Sequence, residues 1–133
     1  MEDPTLRFRK LWIGIGYVGI CLLVYLSLTP MPHHVLKFSI ENFSAGDKIE
    51  HILGFMAPML WFGQIYWAKT KRLGIGIALA VIAIVLEYGQ RAIGGYPNLE
   101  YGDIVASIIG IALGGILLKT RLAFLLKTLE SWW

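Results

Sequence analysis

Four apolar stretches, each near the length that crosses a bilayer, dominate this 133-residue chain and constrain its fold more than any other feature. A helix needs about 20 predominantly apolar residues to span the hydrocarbon core. Only short polar connections separate the stretches, so no room is left for a separate soluble domain. The sequence therefore predicts an all-α membrane protein, a four-helix transmembrane bundle with short loops. The stretches are residues 11–30, 49–68, 73–93 and 104–118.

The two ends of the chain differ from this bundle. Residues 1–10 form a short charged lead-in before the transmembrane domain, which covers residues 11–118. In the tail, residues 119–133, Leu122, Leu125, Leu126 and Leu129 recur at helical spacing. Such a segment typically lies in a membrane interface. We predict a C-terminal interfacial helix on the cytoplasmic side.

The basic residues are distributed unevenly, and this predicts an orientation. Loops with excess Lys and Arg stay cytoplasmic. We therefore predict a bacterial cytoplasmic membrane protein with both termini cytoplasmic. The formal charge of +3 is modest and predicts no nucleic-acid binding. Nine of the 12 basic residues precede the first stretch, join the second to the third, or follow the fourth: Arg7, Arg9, Lys10, Lys69, Lys71, Arg72, Lys119, Arg121 and Lys127.

Polar residues concentrate at the opposite ends of three stretches. A bilayer penalises ionisable groups, so those that persist usually face one another or water. Three helix ends that meet on one side predict a polar site, which would face outward. These residues open the second stretch, close the third and open the fourth: Asp47, Lys48, Glu50 and His51; Glu87, Gln90 and Arg91; Asp103 and Ser107.

Within this set, the spacing indicates acid–base chemistry. Asp47 and His51 are four residues apart and share a helix face, where a carboxylate can orient an imidazole for proton transfer. We predict catalytic roles for His51, Asp47, Glu87 and Asp103. The remaining members, Lys48, Glu50, Gln90, Arg91 and Ser107, are predicted to bind substrate.

Structural roles remain open for the same residues. Asp47 has the chemistry of a helix N-cap, with Glu50 completing a capping box, and Asp103 also stands at a cap-like helix start. Glu87 and Arg91 are spaced as a self-neutralising helical ion pair.

The residues identify no cofactor. Carboxylates with one imidazole would suit Mg²⁺ better than zinc, but no metal-ligand spacing is present and we assign no metal ligand. His33 and His34 adjoin prolines and are expected to be solvated. Cys21 is the single cysteine, which excludes a disulfide framework.

Small residues predict close helix packing. The first stretch carries Gly14, Gly16 and Gly19, and the fourth carries Ala106, Gly110 and Gly114 at four-residue intervals. Small residues let helix backbones approach closely in membranes. The partner is either another helix of the bundle, a second copy of the chain or another membrane protein.

The polar segments resemble the VanZ-like family of small bacterial membrane proteins over about residues 25–115. The family's D-K-x-x-H element matches Asp47, Lys48 and His51, its E-x-x-Q element matches Glu87 and Gln90, and its final aspartate matches Asp103. The chain departs from the family at Pro97 and Ser107, where an Arg and an Asn are frequent. The resemblance implies a role at the cell envelope, including glycopeptide resistance, without implying a particular reaction.

Three functions are compatible with these observations. The leading hypothesis is an outward-facing polar pocket that acts on or binds an envelope lipid or a glycan-linked amphiphile. The second is a small transporter or proton-coupled carrier, which should carry polar groups near the membrane midplane. The third is a structural or adaptor subunit that binds through its glycine-rich helices. Whether the chain is an enzyme is left open by the residues.

Overall fold

The computed structural model describes residues 5–28, 44–94 and 101–132, and every regular element within them is helical. The predicted all-α fold is confirmed. Each apolar stretch forms one helix, with ends within five residues of the predicted ones. The elements are α1 (Arg9–Leu28), α2 (Ser44–Ile65), α3 (Lys69–Gly94), α4 (Tyr101–Leu117), a 3₁₀-helix (Arg121–Phe124) and α5 (Leu125–Ser131).

The four long helices alternate in direction. Along α1 and α2, Gly16 packs on Phe62 whereas Leu23 meets Gly54, so these helices are antiparallel. The α2 and α4 helices run in the same direction, since the start of α2 contacts the start of α4. We call this end of the bundle the Asp103 end. The opposite end, where α5 contacts the start of α1, is the Glu130 end.

The central element is α2, which packs against the other three long helices and most closely against α4. At Gly110, a β-carbon would lie only 2.2 Å from the carbonyl oxygen of Ile52, and at Gly114 it would lie 3.0 Å from that of Met56. The predicted small-residue stripe of α4 is therefore used inside the bundle. Phe55 of α2 joins the apolar core formed with α3.

The three glycines of α1 differ in whether another helix packs against them. A β-carbon at Gly16 would lie 2.6 Å from the ring of Phe62, as expected for close packing. At Gly14 and Gly19, no atom lies within 4 Å of such a β-carbon. The predicted close packing is confirmed at Gly16, whereas at Gly14 and Gly19 it stays a prediction, since no described residue packs there.

Two described helices are long and apolar enough to cross a membrane, α1 and residues 69–93 of α3. A third span results if α4 and residues 121–131, which are bent by 79°, are counted together. This is consistent with a membrane protein. The α2 helix is not among these candidate spans, and its first two turns carry Lys48, Glu50 and His51.

The C-terminal segment turns back on the bundle and buries one of its faces. Ala123, Leu126 and Glu130 are buried, whereas Leu125 and Leu129 are exposed. The predicted set of leucines is therefore divided, with Leu126 in the core and Leu125 and Leu129 on the outside. The inner face includes a buried carboxylate.

Glu130 fastens the C-terminal helix to the start of α1. Its carboxylate accepts hydrogen bonds from the backbone N–H groups of Arg7 (2.8 Å) and Phe8 (2.9 Å) and from the indole of Trp12 (2.7 Å). Burial alone would raise the pKa of Glu130, but these hydrogen bonds and the charge of Arg7 outweigh it and hold the pKa below its ordinary value.

A second buried polar side chain, that of Gln64, holds the C-terminal helix at the Glu130 end of the bundle. Gln64 is 4% exposed, and its oxygen accepts the backbone N–H of Leu126 at 2.8 Å while its nitrogen donates to the carbonyl of Leu60. The first N–H groups of a helix have no partner within it. Gln64 therefore caps α5 from the end of α2.

Candidate functional site

Asp103 is the centre of the polar cluster at the Asp103 end. It lies in the first turn of α4 and is 5% exposed. The ammonium of Lys48, from the start of α2, donates a hydrogen bond to its Oδ1. The Nε2 atom of His51, one helical turn further along α2, lies 3.6 Å from its Oδ2. The carboxylate thus joins α2 to α4 through one cation and one imidazole.

The contacts of Ser107 determine the protonation of one imidazole nitrogen. The Ser107 hydroxyl donates to the backbone carbonyl of Asp103 at 2.9 Å. Its oxygen lies 3.3 Å from Nδ1 of His51 and, having used its only proton, can accept there but not donate. His51 therefore carries a proton on Nδ1. A second proton on Nε2 would face the carboxylate of Asp103.

Helix geometry explains why the cluster forms where it does. Both α2 and α4 begin at this end, and a helix N-terminus stabilises a nearby negative charge. Gly102 leaves room for the lysine chain, since a β-carbon there would lie 2.9 Å from Cε of Lys48. The spacing of Lys48 and His51 places both on the side of α2 that faces α4.

The third helix contributes its C-terminal end to the same end of the bundle. Glu87 is 4% exposed and follows Ala83 and Leu86 on the core-facing side of α3. Gln90 donates a hydrogen bond of 3.0 Å to the carbonyl of Ser27, which links α3 to the last turn of α1. Arg91 is half-buried.

Glu50 was also assigned to the predicted site but is not part of this cluster of contacts. Glu50 is exposed and lies on a different face of α2 from Lys48 and His51. The side chain of Asp47 lies outside the described residues. Since α2 begins at Ser44, Asp47 falls within the first turn, and the predicted N-cap position is wrong. Asp103 likewise lies inside the first turn of α4, which begins at Tyr101, and its carboxylate binds Lys48.

Among the side chains that the structure describes, no group of three His, Cys, Asp or Glu residues is placed so that it could hold a metal ion. His33 and His34 lie outside the described residues. The charge of Asp103 is balanced by Lys48. The described cluster can therefore donate hydrogen bonds from Lys48 and His51, and it can move a proton at His51.

Sequence reasoning missed Glu130 and the capping role of Gln64. Ala123, Leu126 and Glu130 follow one another at helical spacing and form a second, buried face of the tail. An acidic residue on this face was the signal in the sequence that could have identified Glu130. The space left by Gly102 was also missed, because its neighbour Lys48 is 54 positions earlier in the sequence.

Comparison with known proteins adds no relative, since no family model, curated protein or solved structure matches the chain.

Proposed function

We propose that the chain is a VanZ-like protein of the bacterial cytoplasmic membrane in which α1, α2, α3 and α4 all cross the bilayer. The packing of α2 supports this. Because Lys48 and His51 face α4, these two polar residues need not meet lipid, and a bilayer tolerates such residues at lower cost where protein shelters them. The tail beyond α4 then lies at the cytoplasmic interface.

In this proposal, the Asp103 end faces outward and binds the polar head of an envelope lipid or a glycan-linked amphiphile. The observation that carries it is the convergence of Lys48 and His51 on the buried carboxylate of Asp103, with Ser107 beside the imidazole. The resemblance to the VanZ-like family at Lys48, His51 and Asp103 supports an envelope role. Glu87, Gln90 and Arg91 lie on α3 at the same end of the bundle, where Gln90 binds α1.

The chemistry assigned to this site is proton transfer at His51. Ser107 fixes the imidazole through Nδ1, which leaves Nε2, 3.6 Å from the carboxylate of Asp103, as the nitrogen that takes up or releases a proton. Lys48 has a side chain that is 27% exposed and balances Asp103 while remaining accessible at the surface. The polar head would therefore be held by hydrogen bonds from Lys48.

The test is complementation in a host strain from which the chain has been deleted. We expect His51→Gln and Ser107→Ala to lose glycopeptide tolerance and to alter envelope lipid pools. The control is Tyr101→Phe, which removes one hydroxyl from a side chain that is 70% exposed at the same end of the bundle. Full complementation by folded His51→Gln protein, with unchanged melting temperature in detergent, would exclude proton transfer at this site.

The packing disfavours a carrier, and it disfavours an adaptor that binds through α4. A carrier needs polar groups along its path, whereas α2 presents Phe55, Met59 and Phe62 as buried residues between His51 and Gln64. A partner-binding role for the glycines of α4 conflicts with the packing of Gly110 against α2. For contact with a second copy or a membrane partner, Gly14 and Gly19 are the open glycines of α1.

A further inference from the structure

The C-terminal helix α5 has three faces of different character, and one of them packs on the bundle. Leu126 and Glu130 lie four residues apart on the buried face. Successive residues of a helix are turned by about 100°, so the exposed surface of α5 divides into two strips. We call them the apolar strip (Leu125, Leu129 and Trp132) and the polar strip (Lys127, Thr128 and Ser131). A helix divided in this way is typical of the boundary between lipid and water.

The direction of α5 suits such a boundary. Residues 121–131 are bent by 79° from α4. Since α4 crosses the bilayer in the proposed function, on which this inference rests, α5 would lie nearly in the plane of the membrane at the Glu130 end. Its buried face is fastened there by hydrogen bonds from the start of α1 to Glu130 and from Leu126 to Gln64. The two exposed strips therefore have a fixed orientation relative to the bundle.

Three exposed cations accompany the apolar strip. Lys119 and Arg121 precede α5, and Lys127 belongs to its polar strip. Among the residues that the structure describes, none of the acidic side chains forms a salt bridge with these three. Glu130 is the acidic residue of the tail, and its carboxylate is buried against the start of α1. The described surface of the tail is therefore apolar and positively charged, with no exposed carboxylate.

This combination fits an anionic phospholipid better than a second copy of the chain. Two tails that met through their apolar strips would bring their cations together without an exposed carboxylate to balance them, and like charges repel. An anionic leaflet attracts a basic segment beside a membrane-crossing helix. We propose that the tail is a binding site for anionic phospholipids, with the apolar strip among the acyl chains and Lys119, Arg121 and Lys127 at the phosphates. Placement in the membrane interface does not by itself require charged lipid, whereas this binding does.

The first test compares two lipids that share acyl chains and differ in charge. The purified full chain in neutral detergent is titrated with phosphatidylglycerol or phosphatidylcholine, and bound lipid is counted by native mass spectrometry. The test variant is Arg121→Gln/Lys127→Gln. Its matched control, Lys10→Gln/Lys69→Gln, removes the same charge from exposed side chains at the same end of the bundle but outside the tail.

We expect the wild type and the control variant to bind phosphatidylglycerol about ten-fold more tightly than phosphatidylcholine. The tail variant should lose most of this preference, because the lipid charge attracts each basic residue of the tail. Equal binding of both lipids by the wild type would overturn the proposal, as would an unchanged preference in the tail variant. An equal loss in both double variants would also overturn it, since the attraction would then belong to the whole basic end of the bundle.

A second measurement uses single substitutions and shows what covers the apolar strip. In a Cys21→Ser background, a spin label is placed at Leu129→Cys or, as the matched control, at its neighbour Thr128→Cys; both positions are exposed. The chain is reconstituted in phosphatidylglycerol vesicles, and collisions of the label with oxygen, which concentrates in lipid, are compared with collisions with a water-soluble nickel chelate. The proposal requires oxygen to dominate several-fold at position 129 and the nickel chelate at position 128, with a smaller contrast in phosphatidylcholine vesicles.

Three outcomes of the second measurement would overturn the proposal. Equal access of the two reagents at both positions would place the apolar strip in water. A label at position 129 that is shielded from both reagents would identify a second copy or another protein as the cover. The same contrast in both kinds of vesicle would remove the requirement for charged lipid. None of these outcomes depends on the polar cluster at the Asp103 end, so the function proposed for that cluster and this lipid site can fail separately.

Discussion

At the scale of single residues, the two buried carboxylates at opposite ends of the bundle are stabilised in different ways. Asp103 is balanced mainly by the charge of Lys48, whereas Glu130 is held by three N–H donors from the start of α1. Burying a carboxylate is costly unless it is paired and hydrogen-bonded. Removing each charge should therefore have a different consequence.

The first prediction concerns Asp103→Asn, which leaves Lys48 without its counter-charge. Breaking a buried pair costs about 3–5 kcal/mol; because the Lys48 side chain is 27% exposed, we expect a smaller loss of about 2 kcal/mol in the free energy of unfolding. The double variant Lys48→Met/Asp103→Asn should be less destabilised than the sum of the single changes. Thermal unfolding in detergent measures this, and strict additivity would contradict the pairing.

The second prediction is a pH dependence at Glu130. Because its folded pKa lies below the ordinary value of 4.5, the ionised carboxylate contributes stability that is complete above pH 4.5 and is lost as the pH falls through the folded pKa. Glu130→Gln should lower the free energy of unfolding by about 2 kcal/mol near neutral pH. That deficit relative to the wild type should shrink below pH 4.5.

Melting temperatures of both proteins between pH 3 and pH 7 check this, with Glu50→Gln as the control for an exposed carboxylate. A deficit of Glu130→Gln that stays constant across this range would show that hydrogen-bond geometry alone, and not the charge, fastens the tail.

At the scale of helices, the packing of α2 against α4 depends on glycines that have no room for a side chain. We expect Gly110→Ala to lower the free energy of unfolding by about 2–3 kcal/mol, because its β-carbon would lie 2.2 Å from a backbone oxygen of α2. Gly115→Ala on the same helix meets open space and should be neutral or stabilise by up to about 1 kcal/mol. Equal effects of the two variants on thermal unfolding would contradict this packing.

The helices themselves could be predicted because apolar length is a local property of the sequence. The faces of these helices could not. Gly14 and Gly16 are two residues apart on a helix that is apolar all round, so no pattern shows that only Gly16 meets α2. The same limit applies to the tail, where the leucine spacing does not show that Leu126 is buried while Leu125 and Leu129 are exposed. The carboxylate of Glu130 is bound by N–H donors that lie 118 to 123 residues earlier in the chain, so no local pattern could show its burial.

The polar site was predictable in part. Lys48, His51, Asp103 and Ser107 were assigned from helix ends that an antiparallel bundle brings to one side, and the structure brings these four into contact. Glu50 was assigned from sequence proximity alone, yet one residue along a helix turns the side chain by about 100°. Their functional roles remain predictions.

At the scale of the whole molecule, the charge distribution along the bundle predicts how it is oriented. Nine of the 12 basic residues belong to segments at the Glu130 end. Excess basic charge stays on the cytoplasmic side, so the Asp103 end should face outward. An outward site could meet envelope substrates, whereas an inward one could not.

Cysteine labelling tests this orientation. In a Cys21→Ser background, Tyr101→Cys marks the Asp103 end and Lys127→Cys marks the Glu130 end; both positions are exposed. An impermeant maleimide should label position 101 in intact spheroplasts and position 127 only in inverted vesicles, because α4 separates the two positions by a bilayer. Labelling of both from one side would contradict a membrane-crossing α4. Reversed labelling would place the polar cluster in the cytoplasm, and the envelope function proposed for it would fail.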